Sequence, residues 1–171
     1  MEFYRKYINL NSIDLKKMTT LGRAIAKSLS LHNIRLVYLK GELGSGKTSF
    51  VRTVISELGV YEVIPSPSFS IVEVYETKNH EIVHIDMFRI DSPEAWRSGE
   101  IRSYIENEKN LIFLEWPDKS SNLPDPDLLI EFFWLDDYNP ESPRKIKISG
   151  KALSKIKNSI YSLNLEKFHY E

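Results

Sequence analysis

Gly41-Glu42-Leu43-Gly44-Ser45-Gly46-Lys47-Thr48 decides the fold, because this stretch has the spacing G-x-x-x-x-G-K-[ST] of a phosphate-binding loop. Glycines in such a loop let backbone N–H groups point at a phosphate chain, and the helix that follows contributes partial positive charge from its N-terminus. Lys47 is expected to reach the β- and γ-phosphates, and the Thr48 hydroxyl is expected to bind Mg²⁺. The stretch therefore predicts a nucleotide-binding protein.

The segments on either side of the loop have the patterns that such a loop requires. Leu36 to Leu39 is an apolar run typical of a buried strand, and a helical apolar face follows the loop, with Gly59 as its C-terminal stop. That face consists of Val51, Val54, Ile55 and Leu58. The order is thus strand, loop, helix. We expect the nucleotide to contact the loop residues Glu42, Leu43, Gly44, Ser45, Gly46, Lys47, Thr48 and Ser49.

The N-terminal part of the chain predicts a strand and a long helix. The strand is expected over Phe3 to Leu10, and Asn11 or Ser12 is expected to cap the helix. The apolar positions of that helix recur at helical spacing, at Leu15, Met18, Leu21, Ile25 and Leu29.

Several further elements are predicted after the loop helix. Pro65-Ser66-Pro67-Ser68 reads as a stiff extended connector, because proline fixes its own φ and disfavours helix at the preceding residue. Ile71–Glu76 and Glu81–Asp86 form a predicted hairpin around Thr77-Lys78-Asn79-His80. The remaining predictions are a short helix opening at Ser92-Pro93-Glu94, a helical turn at Ile101–Glu106, strands at Leu111–Leu114, Leu128–Leu135 and Lys145–Ile148, and a helical stripe of Leu153, Ile156, Ile160 and Leu163.

This alternation of strands and helices predicts an α/β fold, a P-loop NTPase-like three-layer αβα domain with a mixed sheet. We expect residues 1–150 to form the nucleotide-binding domain and residues 151–171 to be a helical extension that packs on it or trails from it. Neither a repeat nor a low-complexity segment interrupts the sequence.

Composition narrows the class of protein. The 171 residues contain no cysteine, which excludes disulfides, thiolate zinc sites and cysteine catalysis. A formal net charge of −1 argues against a broad nucleic-acid-binding surface. There is no apolar run near the roughly 18 residues of a membrane span, and the start lacks the apolar centre of a signal peptide, so we expect a cytoplasmic protein without a membrane segment.

Charge is distributed unevenly along the chain. Residues 106–142 hold ten acids and two lysines, whereas residues 144–165 hold one arginine, five lysines and no acid. The asymmetry indicates either a polar surface for a partner or two segments that screen each other within one fold. The sequence leaves both open.

Two acids stand where the chemistry of nucleotide hydrolysis needs them. Asp86 and Glu115 each end a mostly apolar strand, so their carboxylates are expected at the C-terminal edge of the sheet, where ligands bind in open α/β folds. We assign Asp86 to Mg²⁺ and Glu115 to the attacking water, and the two roles are interchangeable at this stage. As an alternative, a strand-terminal acid can be a solvated strand end.

Other side chains near these acids are candidates for secondary roles. Arg89 suits a bidentate contact to phosphate or a partner, or else a surface ion pair. Ser66 and Ser68 are candidates for a switch segment that senses the γ-phosphate. Trp116 is expected to pack on the nucleotide or a partner, or else in the core. His84 is expected to be a core histidine, or one that supports a site residue, rather than an acid–base group.

The class of P-loop protein can be narrowed by the motifs that are missing. Neither an N/T-K-x-D nor a D-x-x-G motif of a GTPase occurs, and there is no L-S-G-G-Q segment. A small-molecule kinase is the main alternative, although the arginine-rich lid of such kinases is represented only by Arg97 and Arg102. A nucleotide-sensing adaptor whose acidic and basic segments dock a partner is a third, non-enzymatic possibility.

Five ordered motifs of this chain are similar to those of one protein family. They are the loop at residues 41–48, Ser66-Pro67-Ser68-Phe69, His84-Ile85-Asp86-Met87-Phe88-Arg89, Ser92-Pro93-Glu94 and Glu115-Trp116-Pro117. Together they resemble the TsaE (YjeE) family, the bacterial P-loop ATPases of tRNA threonylcarbamoyladenosine biosynthesis, over about residues 8 to 135. Three positions depart from the common family pattern, since Ser68 replaces a usual Thr, Ser45 a common Ala and Phe88 a common Tyr.

The resemblance implies roles for the matching residues. It implies that Lys47 and Thr48 bind phosphate and Mg²⁺, that Asp86 is the metal-linked acid, and that Glu115 and Trp116 form the family's E-W pair. The expected catalytic residues are then Lys47, Asp86 and Glu115. The expected metal-site residues are Thr48, Asp86 and Glu115, and Trp116 joins the residues that contact the nucleotide.

The resemblance also implies a cofactor and partners. It implies a Mg²⁺-dependent ATPase, weak alone and stimulated by TsaB and TsaD, whose ATP hydrolysis resets the TsaB–TsaD complex between turnovers. TsaD transfers threonylcarbamoyl to N6 of adenosine 37 in tRNAs that read ANN codons, so this chain would meet tRNA only indirectly. A monomer or weak dimer is expected.

Overall fold

Eight strands form a single mixed sheet in the computed structural model, which describes residues 6–78, 80–97, 99–136, 139, 141–165 and 169–170. In those residues the strands are β1 (Tyr7–Ile13), β2 (Leu36–Gly41), β3 (Val72–Glu76), β4 (Glu81–Asp86), β5 (Asn110–Glu115), β6 (Leu128–Trp134), β7 (Arg144–Ser149) and β8 (His169–Tyr170). The helices are α1 (Leu15–His32), α2 (Lys47–Glu57), α3 (Glu100–Glu106) and α4 (Leu153–Tyr161), with short 3-10 turns at Ala95–Arg97 and Pro117–Lys119.

The sheet has a parallel centre and antiparallel edges. Its strand order is β3-β4-β5-β2-β6-β7-β1-β8. The four neighbours β4, β5, β2 and β6 run parallel, whereas β3, β7, β1 and β8 are antiparallel to the strands they pair with. This arrangement confirms the predicted mixed sheet, and it places the ends of the central strands along one edge.

Hydrophobic cores cover both faces of the central strands. Along β2, Val37 and Leu39 belong to a core shared with α1, α2 and α4, whereas Leu36 and Tyr38 belong to a second core that contains Ile105 of α3. Successive strand residues point to opposite faces, so these two sets define three layers. The predicted α/β three-layer class is confirmed.

The start of the structure differs from the sequence prediction in one respect. β1 continues to Ile13, which is buried, and the strand is irregular after Leu10, where Ser12 has φ of 53°. The predicted cap at Asn11 or Ser12 is therefore wrong. Asp14 caps α1 instead, its side chain accepting a hydrogen bond of 2.8 Å from the Lys17 N–H. The part of the predicted strand before residue 6 lies outside the described residues.

Most other predicted elements are found with small changes at their ends. β3 and β4 pair as the predicted hairpin, and Asn79 of its turn lies outside the described residues. Ser92 to Glu94 precede a 3-10 turn rather than starting an α-helix. α4 ends at Tyr161, so Leu163 of the predicted stripe lies beyond the helix and packs partly buried against the core.

One further property concerns membranes. Within the described part of the chain, the helices lack the combination of length and apolar character needed to cross a bilayer.

Candidate nucleotide-binding site

The phosphate-binding loop connects the end of β2 to the start of α2. Ser45 and Lys47 are buried, while Glu42, Leu43 and Gly44 are exposed at the tip and Ser49 lies on the exposed side of α2. Lys47 is the first residue of α2, so the helix N-terminus begins where the loop ends. The loop thus offers its backbone and the positive end of a helix to an anion.

The Lys47 ammonium is held inside the site. Its Nζ donates hydrogen bonds to the carbonyls of Gly41, at 2.8 Å, and Glu42, at 2.9 Å. Burial lowers the pKa of Lys47, against the opposite effect of the nearby carboxylates Glu115, Asp86 and Asp118. Three acids around one lysine give the site a surplus of negative charge, which suits a divalent cation.

Glu115 is the hub of the acidic part of the site. It is the last residue of β5 and is almost completely buried. Its Oε2 accepts a hydrogen bond of 3.0 Å from Thr48 Oγ1, and its Oε1 lies 2.8 Å from His84 Nε2. The side chain therefore joins β5, β4 and the first turn of α2.

Asp86 lies beside Glu115 because β4 and β5 are paired in register, Asp86 opposite Glu115. Its Oδ1 accepts from the Phe88 N–H at 2.8 Å, and its Oδ2 accepts from Ser68 Oγ at 3.0 Å. Ser68 Oγ is in turn 2.8 Å from Ser66 Oγ. Both serines of the predicted switch segment are thus connected to the carboxylate at the end of β4.

Trp116 follows Glu115 and closes one side of the site. Its backbone has φ of 59°, an uncommon value for a bulky residue, and its ring lies 3.9 Å from Lys47 Nζ and 4.9 Å from the Phe88 ring. Trp116 thereby contacts the loop lysine directly.

The three arginines that the sequence singles out make their contacts with residues outside the phosphate loop. Arg89 is exposed, its guanidinium stacks 4.6 Å from the Phe69 ring, and it has no ion pair among the described residues. Arg97 and Arg102 pair with Glu94 and Glu106, which are their neighbours along the chain. These two arginines do not form a lid over the loop in the present structure.

Sequence reasoning missed two residues on the other side of the loop. Trp134 and Arg144 face each other at the ends of β6 and β7, with the guanidinium 3.7 Å from the ring, and Arg144 Nε donates to the carbonyl of Ser45 at 3.3 Å. A cavity of about 330 Å³ adjoins the loop and is lined by Lys40, Gly41, Glu42, Trp116, Asp118, Glu131, Phe132, Phe133 and Trp134. Trp134 and Arg144 do not belong to a recognisable motif, and their contact depends on the pairing of β6 with β7.

The oxygen-rich donors of the site fit magnesium. Mg²⁺ prefers hard oxygen ligands, and Thr48, Asp86 and Glu115 present a hydroxyl and two carboxylates. Throughout the residues described, no three His, Cys, Asp or Glu side chains form a group that could hold a metal ion. Further ligands therefore have to come from phosphate oxygens and water, as is usual for Mg²⁺ bound with a nucleotide.

A phosphate loop between a parallel strand and a helix, with acids at the ends of the adjacent parallel strands β5 and β4, defines a P-loop nucleotide-binding protein. The family model described as "Threonylcarbamoyl adenosine biosynthesis protein TsaE" matches residues 12–143. The chain belongs to the TsaE family, and the resemblance seen in its motifs is confirmed.

Relatives from several bacteria support this membership. The chain is 33% identical over 141 residues to a tRNA threonylcarbamoyladenosine biosynthesis protein TsaE of Haemophilus influenzae, covering 80% of this chain and 86% of that protein. It is 35% identical over 115 residues to the TsaE protein of Rickettsia typhi, covering 67% of this chain and 77% of that protein.

A solved structure has the same fold. The crystal structure of Bacillus subtilis YdiB matches with a TM-score of 0.59 and 19% identity, covering 95% of this chain and 97% of that chain. At this identity the likeness supports the fold alone.

Proposed function

We propose that the protein hydrolyses ATP with Mg²⁺ and thereby serves the biosynthesis of threonylcarbamoyladenosine at position 37 of tRNA. The observation that carries the proposal is the hydrogen bond from Thr48 to Glu115 beside the loop lysine, which brings a metal-type hydroxyl and a carboxylate to one point. The names of the curated relatives supply the pathway.

Each side chain has a role that follows from its position. The loop backbone of residues 42–49 and the Lys47 ammonium bind the phosphates. Thr48, Asp86 and Glu115 would hold Mg²⁺, which would neutralise charge on the phosphate oxygens when it is bound. Glu115 orients the water that attacks the γ-phosphorus, and the bond to the ADP oxygen breaks as phosphate forms.

The serines and arginine at the edge of the site have secondary roles in this proposal. Ser66 and Ser68 form the switch, because their hydrogen bonds lead to Asp86 and would change if that carboxylate bound the Mg²⁺ of a nucleotide with a γ-phosphate. Arg89 contacts a partner or phosphate, and its exposed position beside Phe69 favours the partner. Trp116, whose ring lies 3.9 Å from the Lys47 ammonium, packs on the nucleotide.

The biological setting of the proposal follows from the family. The partners are TsaB and TsaD, tRNA is met only through them, and the protein acts in the cytoplasm as a monomer or weak dimer. Residues 1–150 form the ATPase domain, and residues 151–171 are its extension. Support for one unit comes from Leu153, Ile156 and Ile160 of α4, which share the core with α1.

The test is ATP hydrolysis by the purified chain, measured alone and with TsaB and TsaD. We expect slow hydrolysis alone, a faster rate with both partners, and loss of the gain in Lys47→Ala and Glu115→Ala. Lys27→Ala, which changes an exposed lysine of α1, is the matched control and should behave like the wild type. An unchanged rate with partners would contradict the proposal, and a phosphorylated metabolite would favour a kinase.

A further inference from the structure

Among the described residues, the His84 side chain makes one polar contact, and that contact is with Glu115. The imidazole is fully buried in the middle of β4, and its Nε2 lies 2.8 Å from Glu115 Oε1. A carboxylate of this kind accepts hydrogen bonds, so Nε2 is the nitrogen that carries the hydrogen and donates. The two residues are 31 positions apart in sequence and meet because β4 and β5 are neighbouring parallel strands.

This hydrogen bond restricts how the carboxylate can turn. Glu115 Oε1 is held from β4 by His84, and Oε2 is held from α2 by Thr48. Two bonds from opposite elements fix the plane of the carboxylate, because rotation about its last torsion would break both. With Oε1 occupied, Oε2 is the oxygen that is directed toward Thr48 and the phosphate loop.

The other nitrogen of the ring indicates that His84 is more than a core residue. His84 Nδ1 is buried without a hydrogen-bond partner in the part of the chain that the structure covers. A buried polar atom without a partner destabilises the folded state, so an apolar residue would fill this place in the strand at lower cost. The hydrogen bond that Nε2 donates to Glu115 offsets this cost and gives the imidazole a role at this position.

We propose that His84 is a positioning residue for Glu115, which fixes the carboxylate so that Oε2 faces the metal and the attacking water. The inference rests on the role proposed above for Glu115. His84 contacts neither nucleotide nor metal in this scheme and acts only through Glu115. Its loss should therefore lower turnover while leaving nucleotide binding close to that of the wild type.

The experiment compares His84→Leu with His84→Gln. Leucine fills the buried space without a hydrogen-bond donor. The glutamine side chain carries an amide N–H at about the same distance from the backbone as Nε2, so it can replace the single hydrogen bond to Glu115. We expect His84→Leu to lower partner-stimulated kcat about 10–100-fold, as is common when a hydrogen-bond partner of a site carboxylate is removed. His84→Gln should recover most of that loss, and calorimetry with Mg·ATP should give similar Kd values for all three proteins.

Two controls separate positioning from a general effect on the fold. Val83→Ala removes a buried side chain from the adjacent position of β4, on the opposite face of the sheet. It should lower Tm without the loss of kcat seen in His84→Leu. In a Glu115→Ala background, adding His84→Leu should change the residual rate by less than about twofold, because residues that act through one another are not additive.

The possible results distinguish this inference from the proposed function. No hydrolysis by the wild type, with or without partners, would overturn both. Hydrolysis that depends on Glu115 but is unaffected by His84→Leu would overturn the positioning role alone. Equal losses in the leucine and glutamine variants, or a full further loss in the Glu115→Ala background, would also overturn it.

Discussion

The ammonium of Lys47 lies 3.9 Å from the centre of the Trp116 ring while it donates hydrogen bonds to two carbonyls of its own loop. A bound triphosphate would compete for the same ammonium hydrogens, because its oxygens carry more charge than the carbonyls of Gly41 and Glu42. An ammonium in contact with an indole affects its emission, so nucleotide binding should be visible in the fluorescence of Trp116.

We therefore predict that Mg·ATP changes Trp116 emission, and that Lys47→Met removes the change. The measurement uses a Trp134→Phe background, because Trp134 is the other tryptophan beside the loop. Trp116→Phe in the same background should remove the signal. Unchanged emission at a nucleotide concentration where calorimetry detects binding would contradict the prediction.

Gly41→Ala is expected to destabilise the protein strongly. Gly41 has φ of +150°, and a Cβ at this position would lie 2.6 Å from the backbone oxygen of Phe132. A backbone clash has to be relieved by moving β6 or the loop, so the free energy of unfolding should fall by about 3 kcal/mol or more. Urea titration provides the measurement.

Gly44→Ala is the matched control in the same loop. Its φ is +75°, and the nearest atom to a Cβ there is a Trp134 side-chain carbon at 3.5 Å, an ordinary contact. The alanine pays only for the left-handed backbone conformation, so the free energy of unfolding should fall by about 1–2 kcal/mol. Equal losses in the two variants would contradict the role of the close approach at Gly41.

Asp127 immediately precedes β6 and is expected to stabilise the start of the neighbouring central strand β2. Its Oδ2 accepts hydrogen bonds from the backbone N–H groups of Arg35, at 2.9 Å, and Leu36, at 3.0 Å. Asp127→Ala leaves two backbone donors without this acceptor and should lower the free energy of unfolding by about 2–4 kcal/mol. Asp127→Asn keeps an oxygen acceptor and should lose less.

The ion pair of Asp127 with Lys151 serves as a separate control. The pair spans 3.4 Å and the lysine is mostly exposed. Lys151→Ala should change the free energy of unfolding by less than about 1 kcal/mol, because exposed pairs contribute little. A large loss in this variant would assign the effect to the charge rather than to the backbone donors.

Tyr75 predicts a specific loss of stability at alkaline pH. Burial, followed by the nearby Glu73 and Glu62, raises the pKa of Tyr75 to about 12 from 10.0. Above pH 10 the unfolded chain loses this proton more readily than the folded protein, so it binds fewer protons and the free energy of unfolding falls with pH. The stability that depends on a protonated Tyr75 is present in full below pH 10. It is lost as pH rises through about 12, and the free energy of unfolding falls by about 2–3 kcal/mol over that range.

Tyr75→Phe tests this prediction. The difference in free energy of unfolding between variant and wild type should be constant below pH 9 and should shift in favour of the variant between about pH 10 and 12. At neutral pH the variant should be as stable as the wild type or more stable, because the Tyr75 hydroxyl is buried without a partner among the described residues. A pH-independent difference would contradict the shifted pKa.

Local patterns were sufficient to predict the phosphate loop and the acids beside it. The loop spacing involves eight consecutive residues, and the apolar runs that end in Asp86 and Glu115 require only that neighbouring parallel strands share an edge. The structure places both acids at the ends of neighbouring parallel strands, and it adds that they lie opposite each other. Their individual roles remain predictions.

Contacts that depend on the pairing of strands far apart in sequence could not be predicted from local patterns. The contact of Trp134 with Arg144 arises from the register of β6 and β7, and the contact of His84 with Glu115 arises from that of β4 and β5. The early cap at Asn11 or Ser12 was wrong because tertiary burial of Ile13 extends β1 past two good capping residues. Local propensity favours a cap there, and sheet pairing overrides it.

Hydrogen–deuterium exchange should be slowest in β2 and β5, which are paired on both sides and buried on both faces. Local opening begins at segments with fewer contacts, so these strands should open only with the whole domain. Glu115 is the last residue of β5, and the phosphate loop begins at the end of β2. The motions that admit and release a ligand are then confined to the loops at the ends of β2 and β5, while the two strands themselves stay closed on that timescale.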